Sequence, residues 1–231
     1  MGMPPVVLLH AFPLDSRMWD GVRAELDVIT PDLRGSGREP DLDVLARDVV
    51  ELIEPLGRVI LGGCSMGGYV AMAVLRLAPE RVAGLVLADT RAGADTDTAR
   101  ATRLAVARRV EAEGLEWLPD AVVPGLLGPE PSADVVAGVR GFVLDQDPVE
   151  VAWAQRAMAA RRDSAEVLRG ADVPALVLVG EHDGLAPPAV GRELAGSLPR
   201  STYVELPGAG HLTPVEAPQA FAAAIRTWWD A

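Results

Sequence analysis

The sequence predicts an α/β protein: a mostly parallel sheet of about six strands flanked by helices, with a helical stretch inserted between two of the strands. Three observations carry this. Short runs rich in Val, Leu and Ile recur along the 231 residues, and most are nearly continuous in hydrophobicity, as parallel strands covered on both faces are. Longer stretches of helical periodicity lie between them, the alternation of a doubly wound sheet. One long interval, residues 91 to about 169, holds no convincing strand.

The strands are expected, in order, at residues 5–10, 28–32, 58–63, 82–88, 174–180 and 202–206. A helix is expected over 42–56, where Leu45, Val49, Leu52, Ile53 and Leu56 recur at helical spacing. Others are expected over 69–77, 189–198 and 214–229, the last with Pro214 in its first turn. The interval without strands shows helical segments at 101–113 and 149–162, separated by Pro and Gly clusters near 119–131. It is too long for a single crossover. The chain therefore divides into a core of residues 1–90 and 170–231 and a helical lid of residues 91–169.

With 49% apolar residues the chain can bury a core, and with only 4% aromatics that core must be mostly Val, Leu and Ala. The net charge of −12 repels nucleic acid and anionic lipid, so neither is an expected partner. Every cation of the 21 is Arg. The single cysteine, Cys64, cannot close an intrachain disulfide, and no signal peptide or bilayer-length apolar run is present, so a cytoplasmic location is expected.

Gly63-Cys64-Ser65-Met66-Gly67-Gly68 lies between a buried strand and an Ala- and Leu-rich helix. A serine at so sharp a turn is held in a strained conformation with its hydroxyl raised above the sheet edge, and small residues two before and two after it let strand and helix pass closely. The helix N-terminus favours negative charge nearby. Such a serine needs a base. Of the three histidines, His211 in Gly208-Ala209-Gly210-His211-Leu212 lies after the last strand, on the same sheet edge. The base needs an acid to fix its tautomer, and Asp183, after the fifth strand, is the candidate; Asp89 is the rival and Glu181 a weaker one. The order Ser, Asp, His suits this topology. Two amides should meet the developing oxyanion: Met66 N–H, next to the nucleophile, and Phe12 N–H in the His10-Ala11-Phe12-Pro13 loop, since Pro13 has none. His10 is expected to hold that loop.

These segments, with Asp32-Leu33-Arg34-Gly35-Ser36-Gly37 and Gly180-Glu181-His182-Asp183, resemble the α/β-hydrolase superfamily, most nearly its small bacterial carboxylesterases and enol-lactonase-like members. The resemblance spans the chain apart from the lid. It departs in two places. Ala11 stands where the family usually has Gly, and the chain starts almost at its first strand, where an antiparallel hairpin is usual, which suggests a smaller sheet and makes a homodimer as conceivable as a monomer. The resemblance implies a serine hydrolase of small, largely uncharged carboxylic esters, working through Ser65, His211 and Asp183 and an acyl-enzyme, without cofactor or metal. A lactonase of the 3-oxoadipate enol-lactonase kind is the alternative. An anionic lactone would need a cation facing Ser65, for which Arg91, Arg161 and Arg162 are candidates; a ligand-binding protein on the same scaffold is the third reading. Trp117 and Trp153 are candidates to line an acyl or alcohol pocket. Cys64 and the pair Trp228-Trp229 read as packing residues.

Overall fold

A computed structural model describes residues 2–231. Its six strands are β1 (Val6–Leu9), β2 (Val28–Ile29), β3 (Val59–Cys64), β4 (Val82–Ala88), β5 (Ala175–Gly180) and β6 (Ser201–Leu206). They form one sheet in the order β2-β1-β3-β4-β5-β6, every pairing parallel. The register aligns the C-terminal ends: Leu9 pairs with Gly63, Cys64 with Ala88, and Gly180 with Leu206. The turns that follow the strands therefore gather along one edge. Pairing of β2 stops at Ile29, short of the expected residue 32, where Pro31 offers no amide to a ladder.

The helices are α1 (Asp20–Arg23), α2 (Leu42–Ile53), α3 (Met66–Leu77), α4 (Asp97–Glu113), α5 (Leu118–Leu126), α6 (Ala133–Leu144), α7 (Pro148–Ala160), α8 (Ala165–Arg169), α9 (Pro188–Gly196), α10 (Thr213–Glu216) and α11 (Pro218–Asp230). Side chains of successive strand residues alternate between faces. Val7, Leu9, Leu61, Leu87 and Val177 join a core with residues of α2, α3 and α9. Leu8, Ile60, Val86, Leu176 and Leu178 join a second core that includes Phe221 and Ile225 of α11. Trp228 and Trp229 lie against Gly84, where any Cβ would meet their rings at 2.9 Å, so the pair serves helix packing.

Two helical expectations need correction. The last helix, expected unbroken over 214–229, is split: Ala217 leaves helical geometry at φ −139°, ψ 54°, because a residue before proline is pushed out of the α region by Pro218. The Pro and Gly cluster near 119–131, expected to separate helices, instead contains most of α5, which takes Pro119 in its first turn and Pro124 inside. Between β4 and β5 the elements are all helices, α4 to α8, joined by loops, and α4 lies along α7.

Candidate active site

Ser65 sits where β3 turns into α3, with φ 53° and ψ −111°. A side chain rarely adopts this region without compensation. The compensation is local. Ser65 N–H donates to Ala88 O (2.9 Å), and Thr90 Oγ1 donates to Ser65 O (2.9 Å), so the end of β4 clamps the turn. The flanking glycines are obligatory: a Cβ on Gly63 would lie 2.2 Å from the Gly67 carbonyl carbon, and one on Gly67 only 2.0 Å from Leu9 O. Cys64 beside it is buried, and burial together with Asp89 pushes its thiol well above the ordinary value, leaving it protonated and inert.

Three side chains from different loops join in one hydrogen-bonded chain. Ser65 Oγ lies 2.9 Å from His211 Nε2, and His211 Nδ1 lies 2.8 Å from Asp183 Oδ2. The other carboxylate oxygen, Oδ1, accepts the amides of Leu185 (2.7 Å) and Ala186 (2.8 Å). Burial alone would raise the Asp183 carboxyl. The hydrogen bond and charge of His211, with those two amides, outweigh it and hold the carboxyl below its ordinary value. An ionised Asp183 fixes the proton on Nδ1 and leaves Nε2 free to accept from Ser65.

Asp89 makes no hydrogen bond to His211. It accepts from Gly180 N (3.0 Å), Thr213 N (3.1 Å) and Thr213 Oγ1 (2.6 Å), tying the end of β4 to β5 and to the turn after His211. Burial pushes its carboxyl up to about 7, opposed by His211 and reinforced by Asp183. Glu181 faces outward and accepts from Gly208 N (2.9 Å). His10 is buried, which lowers its pKa; its Nε2 accepts from Leu33 N (2.8 Å), so it holds the two loops together as a neutral ring. The Ala11 methyl is buried without disturbing the loop, whose turn is closed by Leu14 N donating to Ala11 O (2.9 Å).

A cavity of about 360 Å³ opens over Ser65 and His211, with Phe12 in its wall. Met66 is the first residue of α3, directly after Ser65. Among the described residues neither Phe12 N–H nor Met66 N–H has a protein acceptor, so both amides are free to donate to a ligand oxygen.

Of the cations considered from sequence, Arg91 lines this cavity. Arg161 does not: it is buried, paired with Asp95 and seated 4.1 Å over the Tyr69 ring. Arg162 faces a different, smaller hollow. Neither tryptophan lines the Ser65 cavity. Trp153 presses on Gly35 and donates to Arg38 O (2.9 Å), and Trp117 is covered by Arg109 at 3.9 Å. Four residues that shape the site carry no motif in the sequence. Arg103 and Asp95 share the cavity wall. Glu150 of α7 accepts the amides of Gly35 and Ser36. Glu216 accepts from Gly128 N (2.6 Å), Gly210 N (2.9 Å) and Leu212 N (3.3 Å), bracketing His211. Each acts on a segment remote in sequence or through backbone amides that every residue carries, so no local motif announces it.

Among the described residues no group of three or more His, Cys, Asp or Glu is arranged to hold a metal ion, and no helix is long and apolar enough to cross a membrane. The serine turn, its histidine and its aspartate follow strands of one parallel sheet, and known proteins share that frame. A thermophilic esterase from Thermogutta terrifontis, in its malate-bound structure, superposes with a TM-score of 0.94 at 40% identity, over 100% of this chain and 91% of that one. The enol-lactonase from Burkholderia xenovorans LB400 superposes with a TM-score of 0.86 at 30% identity, over 100% and 93% of the two chains. A pimeloyl-[acyl-carrier protein] methyl ester esterase of Nitrosomonas europaea is 28% identical over 94% of this chain and 92% of its own. The sequence model described as the Alpha/beta hydrolase family matches residues 6–224, and with nearly the whole length accounted for, this chain is a member of that family.

Proposed function

We propose that the protein is a serine esterase that cleaves small carboxylic esters through an acyl-enzyme. The observation that carries the reading is the continuous chain Asp183–His211–Ser65 beneath a cavity, with the serine on a strained turn. Ser65 Oγ attacks the carbonyl carbon while His211 Nε2 takes its proton. The imidazolium is stabilised by Asp183, and the oxyanion is met by the Phe12 and Met66 amides. The C–O bond to the alcohol then breaks, and His211 returns the proton to the leaving oxygen. Water enters, gives a proton to His211 and attacks the acyl carbon; the acid leaves and Ser65 regains its proton. Every step is carried by groups of the chain itself. Residues 91–169 act as a lid over the core formed by 1–90 and 170–231.

Hydrolysis of short-chain 4-nitrophenyl esters by the wild type and by Ser65→Ala tests the reading. The expected outcome is Ser65-dependent turnover, with a burst of about one nitrophenol per chain if deacylation is slow. Tight binding of small esters or lactones with no Ser65-dependent hydrolysis would replace the enzyme by a binding protein. A lactonase is the second reading, favoured by the likeness to the enol-lactonase and by Arg91 in the cavity wall. There the leaving oxygen stays tethered to the acyl group, so one product appears instead of two.

A further inference from the structure

The cavity over Ser65 is not electrically neutral. Its wall carries Arg91, Asp95 and Arg103. Asp95 is the acid among them, and it already holds two guanidiniums: Arg103 Nε at 2.5 Å and Arg161 behind it. Burial alone would raise the Asp95 carboxyl, but these two cations overcome it and hold it below the ordinary value, so the ionised form is the one present. The one carboxylate of the wall is thus taken up by two guanidiniums, and Arg91 adds a further cation, in a chain whose net charge is −12. Arg91 is the cation left over. Among the described residues it has no hydrogen-bond acceptor, and no carboxylate reaches it; Asp163 and Glu193, which share a second cavity with it, stay beyond ion-pair distance. A guanidinium keeps its charge at any ordinary pH, and a half-buried one without a partner is a site for an anion, with carboxylate its best planar match.

Arg91 is also well placed. It follows Asp89 and Thr90 at the end of β4, where Thr90 is bonded to the Ser65 carbonyl and Asp89 N to Leu178 O (2.9 Å). The backbone that carries Arg91 is thereby fixed to the backbone that carries Ser65. The cavity wall that Arg91 and Ser65 share also carries the apolar side chains of Val122, Leu126 and Met158, suited to a short hydrocarbon spacer. We propose that Arg91 anchors a free carboxylate on the substrate, so that the preferred substrates are small acyl compounds carrying a second, ionised carboxyl group, such as half-esters of short dicarboxylic acids. This inference rests on the assignment of Ser65 as the nucleophile.

The test is a matched pair, monomethyl adipate and dimethyl adipate, which differ in one charge. The wild type is expected to favour the half-ester in kcat/KM by about tenfold or more, the scale of one charged hydrogen-bonded contact. Arg91→Ala should collapse that ratio, chiefly by raising KM for the half-ester, and Arg91→Lys should keep part of it. A wild-type ratio near one, or equal loss on both esters in Arg91→Ala, overturns the proposal. A binding measurement separates it from the hydrolase reading. Ser65→Ala should bind adipate in calorimetry, and Ser65→Ala/Arg91→Ala should bind it at least about tenfold more weakly. Adipate binding that depends on Arg91, without Ser65-dependent hydrolysis of any ester, would remove the hydrolase reading and keep the carboxylate site. Ser65-dependent hydrolysis without adipate binding would do the reverse.

Discussion

Glu216→Ala should weaken both the fold and the reaction, and the size of the effect follows from the amides it would orphan. Glu216 holds Gly210 and Leu212, the residues on either side of His211, and Gly128 in the loop after α5. The bonds to Gly128 (2.6 Å) and Gly210 (2.9 Å) have good length; that to Leu212 (3.3 Å) is weak. A hydrogen bond to a charged group contributes about 1.5–3 kcal/mol. Glu216 is half-buried, so water can reach part of the vacated space and the amides recover some of the loss. The net cost is then about 2–4 kcal/mol. At this chain length that lowers Tm by roughly 5–15 °C, which a thermal melt resolves. The reaction should suffer more than the stability suggests. Freed from Glu216, the His211 loop no longer fixes Nε2 at 2.9 Å from Ser65 Oγ, and a displacement near 1 Å is worth up to about a hundredfold in rate. Turnover of 4-nitrophenyl acetate should fall by about tenfold or more, mainly in kcat. Glu216→Gln should lie between, since its amide group turns a donor toward one of the same N–H groups. A melt within about 1 °C of wild type together with kcat within about twofold would refute this account of the loop.

Asp183→Asn keeps the shape but favours the wrong tautomer of His211, so kcat should drop by roughly three to four orders of magnitude with little change in KM; a loss under tenfold in steady-state assays would mean that another acid serves His211. Asp89 gives a pH signature. Its folded value near 7 lies above its unfolded 3.8, so the folded state binds the extra proton and stability declines as pH rises from about 4 to about 7, by on the order of 4 kcal/mol at most. Denaturant midpoints across this range should fall in the wild type and flatten in Asp89→Asn. An unchanged slope would show that Asp89 ionises freely in the fold. Asp183 runs the other way: its lowered value adds stability above 3.8 that is lost as pH falls through the folded pKa.

The inner strands β1, β3, β4 and β5 were legible because they are buried on both faces, so apolar residues run nearly without interruption, and the bounds of β3 to β5 fall within a residue of the pattern; the exposed edge strand β6 was legible from its β-rich Thr-Tyr-Val run instead. The meeting of Ser65, His211 and Asp183 was legible for a related reason. Each follows a strand, so a parallel register alone brings their loops to one edge, and the Gly63 and Gly67 spacing marks the turn. Helices α5 and α6 were less legible. Their segments carry Pro119, Pro124, Gly138 and Gly141, and local breakers outweigh periodicity when the apolar face is narrow. The polarity of the cavity was illegible for a different reason. Arg161 sat at a helix end among charged neighbours, as solvated arginines do, and only the return of residue 95 beside it buries the pair; Arg103 joins them from the first turns of α4. Ion pairs across such separations depend on how helices dock, which no window of sequence records.

The helices between β4 and β5 are sewn to the loop that carries His211. His211 N donates to Leu126 O (3.1 Å), and a Cβ on Gly210 would lie 2.4 Å from Gly128 N. For anyone building chimaeras this sets a rule of transplantation. Exchanging residues 91–169 for the equivalent segment of a relative would import not only a new pocket lining but also a new seam against the histidine loop. A graft that keeps Leu126, Leu127 and Gly128 with the recipient, or moves Gly208 to Glu216 along with the donor helices, preserves that seam. A graft cut at the strand ends alone would carry over the pocket lining while leaving His211 on a loop with no matching edge to rest against.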